Sequence, residues 1–216
     1  MKKTIAAFDI DGTILPRNSA ERIFIKYLVN KGELRIADAV RYMMQLLMRL
    51  PRGWTDATKG NKSYLKGKSA NRIDSLAEEC FHEEIAPRIS DRAREKIEEH
   101  RSRGEKIVLL SGTLDVLLER FTAHLGAEHS HGSTLVISDG RYSGGIDGIY
   151  PYGSAKAEIV QSNYSPDLYD LSASFAYANH LSDLEFLGLF GHPALANPNP
   201  LLAAEAKKRG IEIIHF

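Results

Sequence analysis

The sequence predicts an α/β fold, a mostly parallel sheet flanked by helices and interrupted early by a helical insert. Three observations carry this. Short, nearly unbroken apolar runs at residues 4–8, 106–111, 174–178 and 211–214 have the character of strands buried on both faces. Outside residues 16–88 these runs alternate with helix-length segments, the pattern of a parallel sheet. Within 16–88 the periodicity is helical throughout. The chain therefore divides into a core of residues 1–15 and 89–216 and a helical subdomain of residues 16–88. Its 216 residues, 43% hydrophobic and 26% charged, are enough for one large domain with an insertion.

The elements follow in order. The first strand ends where Asp9, Asp11 and Gly12 begin. Asn18-Ser19-Ala20-Glu21 has capping-box spacing, Gly32 supplies a stop, and Ile23, Phe24, Tyr27 and Leu28 form one apolar face between them. A second helix is expected over 34–49, with Ala37, Val40, Met44, Leu47 and Met48 turned inward and Pro51 after its end. Met43, Met44 and Met48 read as core filler. Residues 52–68 are less periodic. Ser69 starts a helix that buries Ile73, Leu76, Ala77, Cys80 and Phe81, and Pro87 marks a boundary. Ser90 caps a helix that Gly104 closes. A strand over 106–111 leads to a helix over 114–125, closed by Gly126. Residues 135–142 read as a hairpin around Asp139-Gly140. A helix from Ser154, a strand over 174–178, a short strand over 194–196, a helix over 201–208 closed by Gly210 and a strand over 211–214 complete the chain.

Composition excludes several functions. The net charge of +0 gives no basic excess for nucleic acid. The single Cys80 rules out an internal disulfide, fits a reducing compartment, and beside Phe81 reads as packing. The apolar stretch after Met-Lys-Lys is too short for a signal segment, and nothing reaches the length of a membrane span. A cytoplasmic location is the expectation.

The chemistry gathers at strand ends, where open α/β sheets bind ligands. Asp9 and Asp11, two apart on an extended chain, point the same way. Carboxylates that close repel unless a cation or a shared proton intervenes. Ser111-Gly112-Thr113 offers a hydroxyl and backbone N–H groups to a phosphate, although the same residues make an ordinary turn. Lys156 stands in a first helical turn, where the helix dipole disfavours a cation; it is either a solvated lysine or the partner of an anion. Asp183 opens a helix after the strand over 174–178 and could be structural alone.

Taken in order, these residues resemble the haloacid dehalogenase superfamily. Asp9-Ile10-Asp11-Gly12-Thr13 resembles its first motif, Ser111 the second, Lys156 the third and Asn179 to Asp183 the fourth. The helical insert, the hairpin and residues 191–198 resemble the subgroup containing phosphoserine phosphatases. The resemblance implies a Rossmann-like core with a helical cap, and hydrolysis of a small phosphorylated substrate through an aspartyl-phosphate. It makes Asp9 the nucleophile and Asp11 the general acid and base. Ser111, Gly112 and Lys156 become the phosphate site. Asp9, Asp11 through its carbonyl, Asn179 and Asp183 become ligands of Mg²⁺, or of Mn²⁺ or another divalent cation. Asn179 stands where the family usually has an acid, which weakens the metal site. His180 is open to a phosphate or metal contact or to neither. A regulatory phosphoester-binding protein and a phosphomutase are the alternatives. In the insert, residues 33–68 hold eight Lys or Arg against three acids, either a solvated face or a draw for anionic substrates. Trp54 beside Arg52 would stack on a ring or pack locally. Oligomeric state and substrate stay open, with phosphoserine, histidinol phosphate, sugar phosphates and lysolipid phosphates all compatible.

Overall fold

Ile5–Phe8 forms β1, and all four residues are buried because this strand runs through the middle of a seven-stranded sheet. The computed structural model describes residues 2–216; the side chains of Arg52, Thr55 and Asp56 lie outside the described residues, and with them the expected neighbour of Trp54. Four helices follow β1: α1 (Ala20–Asn30), α2 (Ile36–Arg49), α3 (Trp54–Thr58) and α4 (Ala70–Cys80). Then come α5 (Asp91–Ser102), β2 (Lys106–Leu114), α6 (Asp115–Leu125), β3 (His129–Ser138) and β4 (Arg141–Asp147). The chain closes with α7 (Ser154–Asn163), β5 (Phe175–Ala178), α8 (Leu184–Leu187), β6 (His192–Ala196), α9 (Pro200–Arg209) and β7 (Glu212–Ile214).

The strand order is β4-β3-β2-β1-β5-β6-β7, parallel except for β4, which returns beside β3 as a hairpin. Asp139 and Gly140 both take positive φ there, as a two-residue hairpin turn requires. Side chains alternate across β1 and β2. Ala6, Phe8, Ile107 and Leu109 face a core shared with α1, α4, α5 and α6. Ile5, Ala7, Val108 and Leu110 face a second core with α7, α8 and α9. Cys80 is buried in the first core, and burial pushes its thiol up to about 12, so it stays protonated and packs. No helix among the described residues is long and apolar enough to cross a membrane.

Four local expectations are corrected. Ser19 is the N-cap of α1 but makes no capping bond with its side chain; Asp11 Oδ1, from the first strand's loop, accepts the Ala20 N–H at 2.9 Å instead. β2 runs on through Ser111-Gly112-Thr113, so these residues are strand rather than turn. β3 begins at His129, because its first half pairs with β2 before its second half enters the hairpin. The largest correction concerns α2. Its expected inward face points outward: Val40, Met44, Leu47 and Met48 are exposed, Met48 at 69%. The polar side of the helix holds it instead. Asp38, itself buried, meets Lys68 at 2.8 Å and Arg41 at 2.9 Å, the Tyr42 carbonyl accepts from Asn61 at 3.0 Å, and Arg49 donates to the Gly60 carbonyl at 2.9 Å.

Candidate active site

Parallel register brings three strand ends level. Phe8 pairs with Leu109 of β2 on one side and Tyr177 of β5 on the other. The chain crosses from one side of β1 to the other between β4 and β5, so β1 stands at the topological switch point. Asp9 and Asp11 lie beyond β1, Ser111 and Gly112 near the end of β2, and Asn179 to Asp183 beyond β5. The first turn of α7 adds Lys156. Asp9, Asp11, Ser111, Gly112, Lys156, Asn179 and Asp183 all line one cleft of about 1990 Å³, whose outer wall is made by α1, α2 and α3.

At its floor Lys156 is 3% exposed, with Nζ 2.8 Å from Asp9 Oδ1 and 3.2 Å from Asp183 Oδ1. The solvated-lysine alternative is thereby excluded. Burial alone would push this ammonium down; Asp9 and then Asp183 outweigh it and hold Lys156 above its usual range. Thr13, at the end of the first motif, donates its hydroxyl to Asp9 Oδ2 at 3.3 Å. Burial likewise raises Asp183, opposed by Lys156 and assisted by Asp9. Asp11 is pushed up to about 6, chiefly by burial, against the lowering effect of the Ala20 N–H, with a smaller contribution from Asp9. A carboxyl poised there can both give and take a proton near neutral pH.

One ammonium facing two buried carboxylates leaves a negative excess in a desolvated site. Asp183 Oδ1 has no hydrogen bond among the described residues although Lys156 is its ion-pair partner, so the oxygen is open to a further cation. No three His, Cys, Asp or Glu side chains cluster for a metal among the described residues. The residues of the cleft floor that could hold a cation are therefore two carboxylates, Asp9 and Asp183, with neutral oxygens available from Asp11 and Asn179, which line the same cleft. Hard oxygen donors of this kind suit a small divalent cation. Gly12 lets Asn179 approach: its φ is +79°, and a Cβ there would sit 1.8 Å from Asn179 Nδ2. His180 is spent locally, with Nδ1 accepting the Ser182 N–H at 3.2 Å and so capping the turn that delivers Asp183.

Several further residues shape the cleft through partners that the sequence does not name. Asn197 donates to the Gly12 and Thr13 carbonyls at 3.0 and 3.3 Å and accepts the Phe216 N–H at 2.9 Å, tying the loop after β1 to the C-terminal segment. Tyr150 lies over Gly112, where a Cβ would meet its hydroxyl oxygen at 2.6 Å. Glu21, in the cleft wall, is engaged by buried Lys62 at 2.6 Å to each carboxylate oxygen and by the Tyr64 hydroxyl at 2.6 Å. Its charge is therefore already neutralised from within the chain.

Known proteins resemble the chain in sequence and in fold. A sequence profile of the haloacid dehalogenase-like hydrolases matches residues 6–188. The chain is 25% identical to a probable phosphatase of Mycobacterium tuberculosis (strain ATCC 25618 / H37Rv), over 99% of this chain and 76% of that protein. It is 27% identical to a phosphoserine phosphatase of the same strain, over 98% of this chain and 70% of that one. A crystal structure of a Bordetella pertussis Tohama I protein of unknown function shares the fold with a TM-score of 0.84, at 24% identity and 99% coverage of both chains.

Proposed function

The chain belongs to the haloacid dehalogenase-like hydrolase family, and from that premise we propose that it is a Mg²⁺-dependent phosphomonoesterase working through an aspartyl-phosphate, with residues 16–88 as its cap. The observation that carries the reading is the buried Asp9–Lys156–Asp183 cluster beside a carboxyl, Asp11, whose proton is available near neutral pH.

Asp9 attacks phosphorus while the bond to the ester oxygen breaks, and Asp11 gives its proton to that leaving oxygen. Water then attacks the phosphorus held on Asp9. Asp11 takes back a proton, and the bond to Asp9 breaks to release phosphate. Lys156 orients Asp9 and offsets repulsion between it and the anionic ester. Ser111 and the Gly112 backbone hold phosphoryl oxygens. Asp9, Asp183, Asn179 and the Asp11 carbonyl would hold Mg²⁺, which supplies charge neutralisation at the phosphoryl group.

The cluster of Glu21, Lys62 and Tyr64 bears on the substrate. With its charge balanced by Lys62, Glu21 is a poor receptor for a substrate ammonium, so phosphoserine is expected to turn over more slowly than phosphoesters of uncharged alcohols. The test is phosphate release from a panel of phosphomonoesters with Mg²⁺, Mn²⁺, Co²⁺ or no metal. Metal-dependent release is the expected result. Failure with every metal, while inorganic phosphate still raises the melting temperature, would establish a binding protein instead.

Asn179→Asp adds a negative ligand. It is expected to lower the Mg²⁺ concentration for half-maximal activity about tenfold, the equivalent of roughly 1–2 kcal/mol of metal affinity. A Mg²⁺ titration of initial rates reads this directly. An unchanged midpoint would remove Asn179 from the ligand set.

A further inference from the structure

Helix α2 is amphipathic the wrong way round for a helix that packs on its own domain. Ile36, Val40, Met43, Leu47 and Leu50 lie along one stripe and are all exposed, Ile36 at 84%. Met44 and Met48 widen it, and Trp54 at 69% exposure extends it past the helix end. Contiguous apolar surface of this breadth is uncommon on a protein that meets only water.

Two further observations say what covers it. The first is charge. The acids of this region with described side chains are each committed to a cation of the chain: Glu21 to Lys62, Glu33 to Arg72, and Asp38 to Lys68 and Arg41. Arg22 and Arg35 are exposed in the cleft wall that the stripe shares and make no ion pair among the described residues. An apolar face rimmed by uncompensated cations and an exposed tryptophan is complementary to an anionic lipid surface. The second is continuity. The catalytic cleft opens along this same face: Val29, Ile36, Met43 and Trp54 line its outer end, together with Arg22 and Arg35. At about 1990 Å³ the cleft is larger than a small metabolite needs.

We propose that the cap docks on an anionic lipid surface through the exposed face of α2 and Trp54, and that the cleft draws its phosphomonoester from that surface, with the headgroup at Asp9 and the apolar portion along the α1–α2 wall. The docking stands on the surface alone; the substrate half rests on the phosphomonoesterase reading.

The test uses the whole chain and two kinds of vesicle, phosphatidylglycerol mixed with phosphatidylcholine and phosphatidylcholine alone. Co-sedimentation with the anionic vesicles is expected, weakening as salt is raised. Val40→Glu with Leu47→Glu, both exposed and outside the cleft lining, is expected to cut it at least about tenfold with an unchanged melting temperature. The same variant should lose hydrolysis of vesicle-borne phosphatidic acid while keeping hydrolysis of soluble p-nitrophenyl phosphate. Wild-type protein that ignores both vesicles overturns the proposal. So does a lipid-free dimer that the double variant abolishes, because a second copy would then be the occupant. Vesicle binding without hydrolysis of either phosphoester would support docking and sink the phosphomonoesterase reading instead.

Discussion

Asp9→Asn is expected to lower phosphomonoester turnover by at least about 10⁴-fold while the protein remains folded. The amide keeps the size of the side chain, and its single oxygen can still accept from either the Lys156 ammonium or the Thr13 hydroxyl, which lie 2.8 Å from Oδ1 and 3.3 Å from Oδ2 in the wild type, while Asp183 remains to pair with Lys156. It cannot supply the carboxylate electron pair that forms the bond to phosphorus. Single-turnover phosphate release, read beside thermal unfolding, separates the two effects. A folded variant that turns over within tenfold of wild type would remove Asp9 as nucleophile and the covalent route with it.

Lys156→Met should damage stability and activity together. Asp9 and Asp183 both reach the same ammonium, at 2.8 and 3.2 Å, and all three groups are buried. Removing the cation leaves two desolvated carboxylates facing each other, a change that costs about 3–5 kcal/mol when one partner of a buried pair is lost. Loss of phosphate neutralisation should reduce turnover by about 10³-fold or more. The pH dependence has a definite sign. Burial already raises Asp183 against the lowering effect of Lys156, so without the ammonium its folded-state pKa rises further above the unfolded one, the folded state binds more protons, and stability falls as pH rises through it. Urea titrations in metal-free buffer between acidic and neutral pH measure this. A variant as stable as wild type at neutral pH would show that the cluster is not the charge-balanced unit described.

Much of the site was legible because its residues are tied to strand ends. Asp9 comes directly after four consecutive buried residues, and parallel pairing of Phe8 with Leu109 and Tyr177 obliges the segments beyond the three strands to converge. Lys156 was harder. On its own it read more readily as a solvated surface residue, and only the fold places Asp9, 147 positions away in the chain, against it. Tyr150 carried no signal, and nothing in the sequence pointed from Asn197 or Lys62 to its partner, since each acts on a residue far away in the chain.

The amino-acid sequence by itself determined the α/β class, the alternation of strand and helix, the placing of caps such as Ser90 and Gly126, and the order of acid, hydroxyl, lysine and acid along the chain. These depend on local propensity and on the periodicity of apolar residues, both of which are properties of short segments. Tertiary structure alone decided how charge is distributed in the cleft and which way α2 faces. Lys62 silences Glu21 from 41 positions away, and the apolar stripe of α2 looks outward because Asp38, Arg41 and Arg49 anchor its opposite side. Periodicity records that a helix has an apolar face. It carries no information about what lies against that face, because that is settled by contacts between segments remote in the chain.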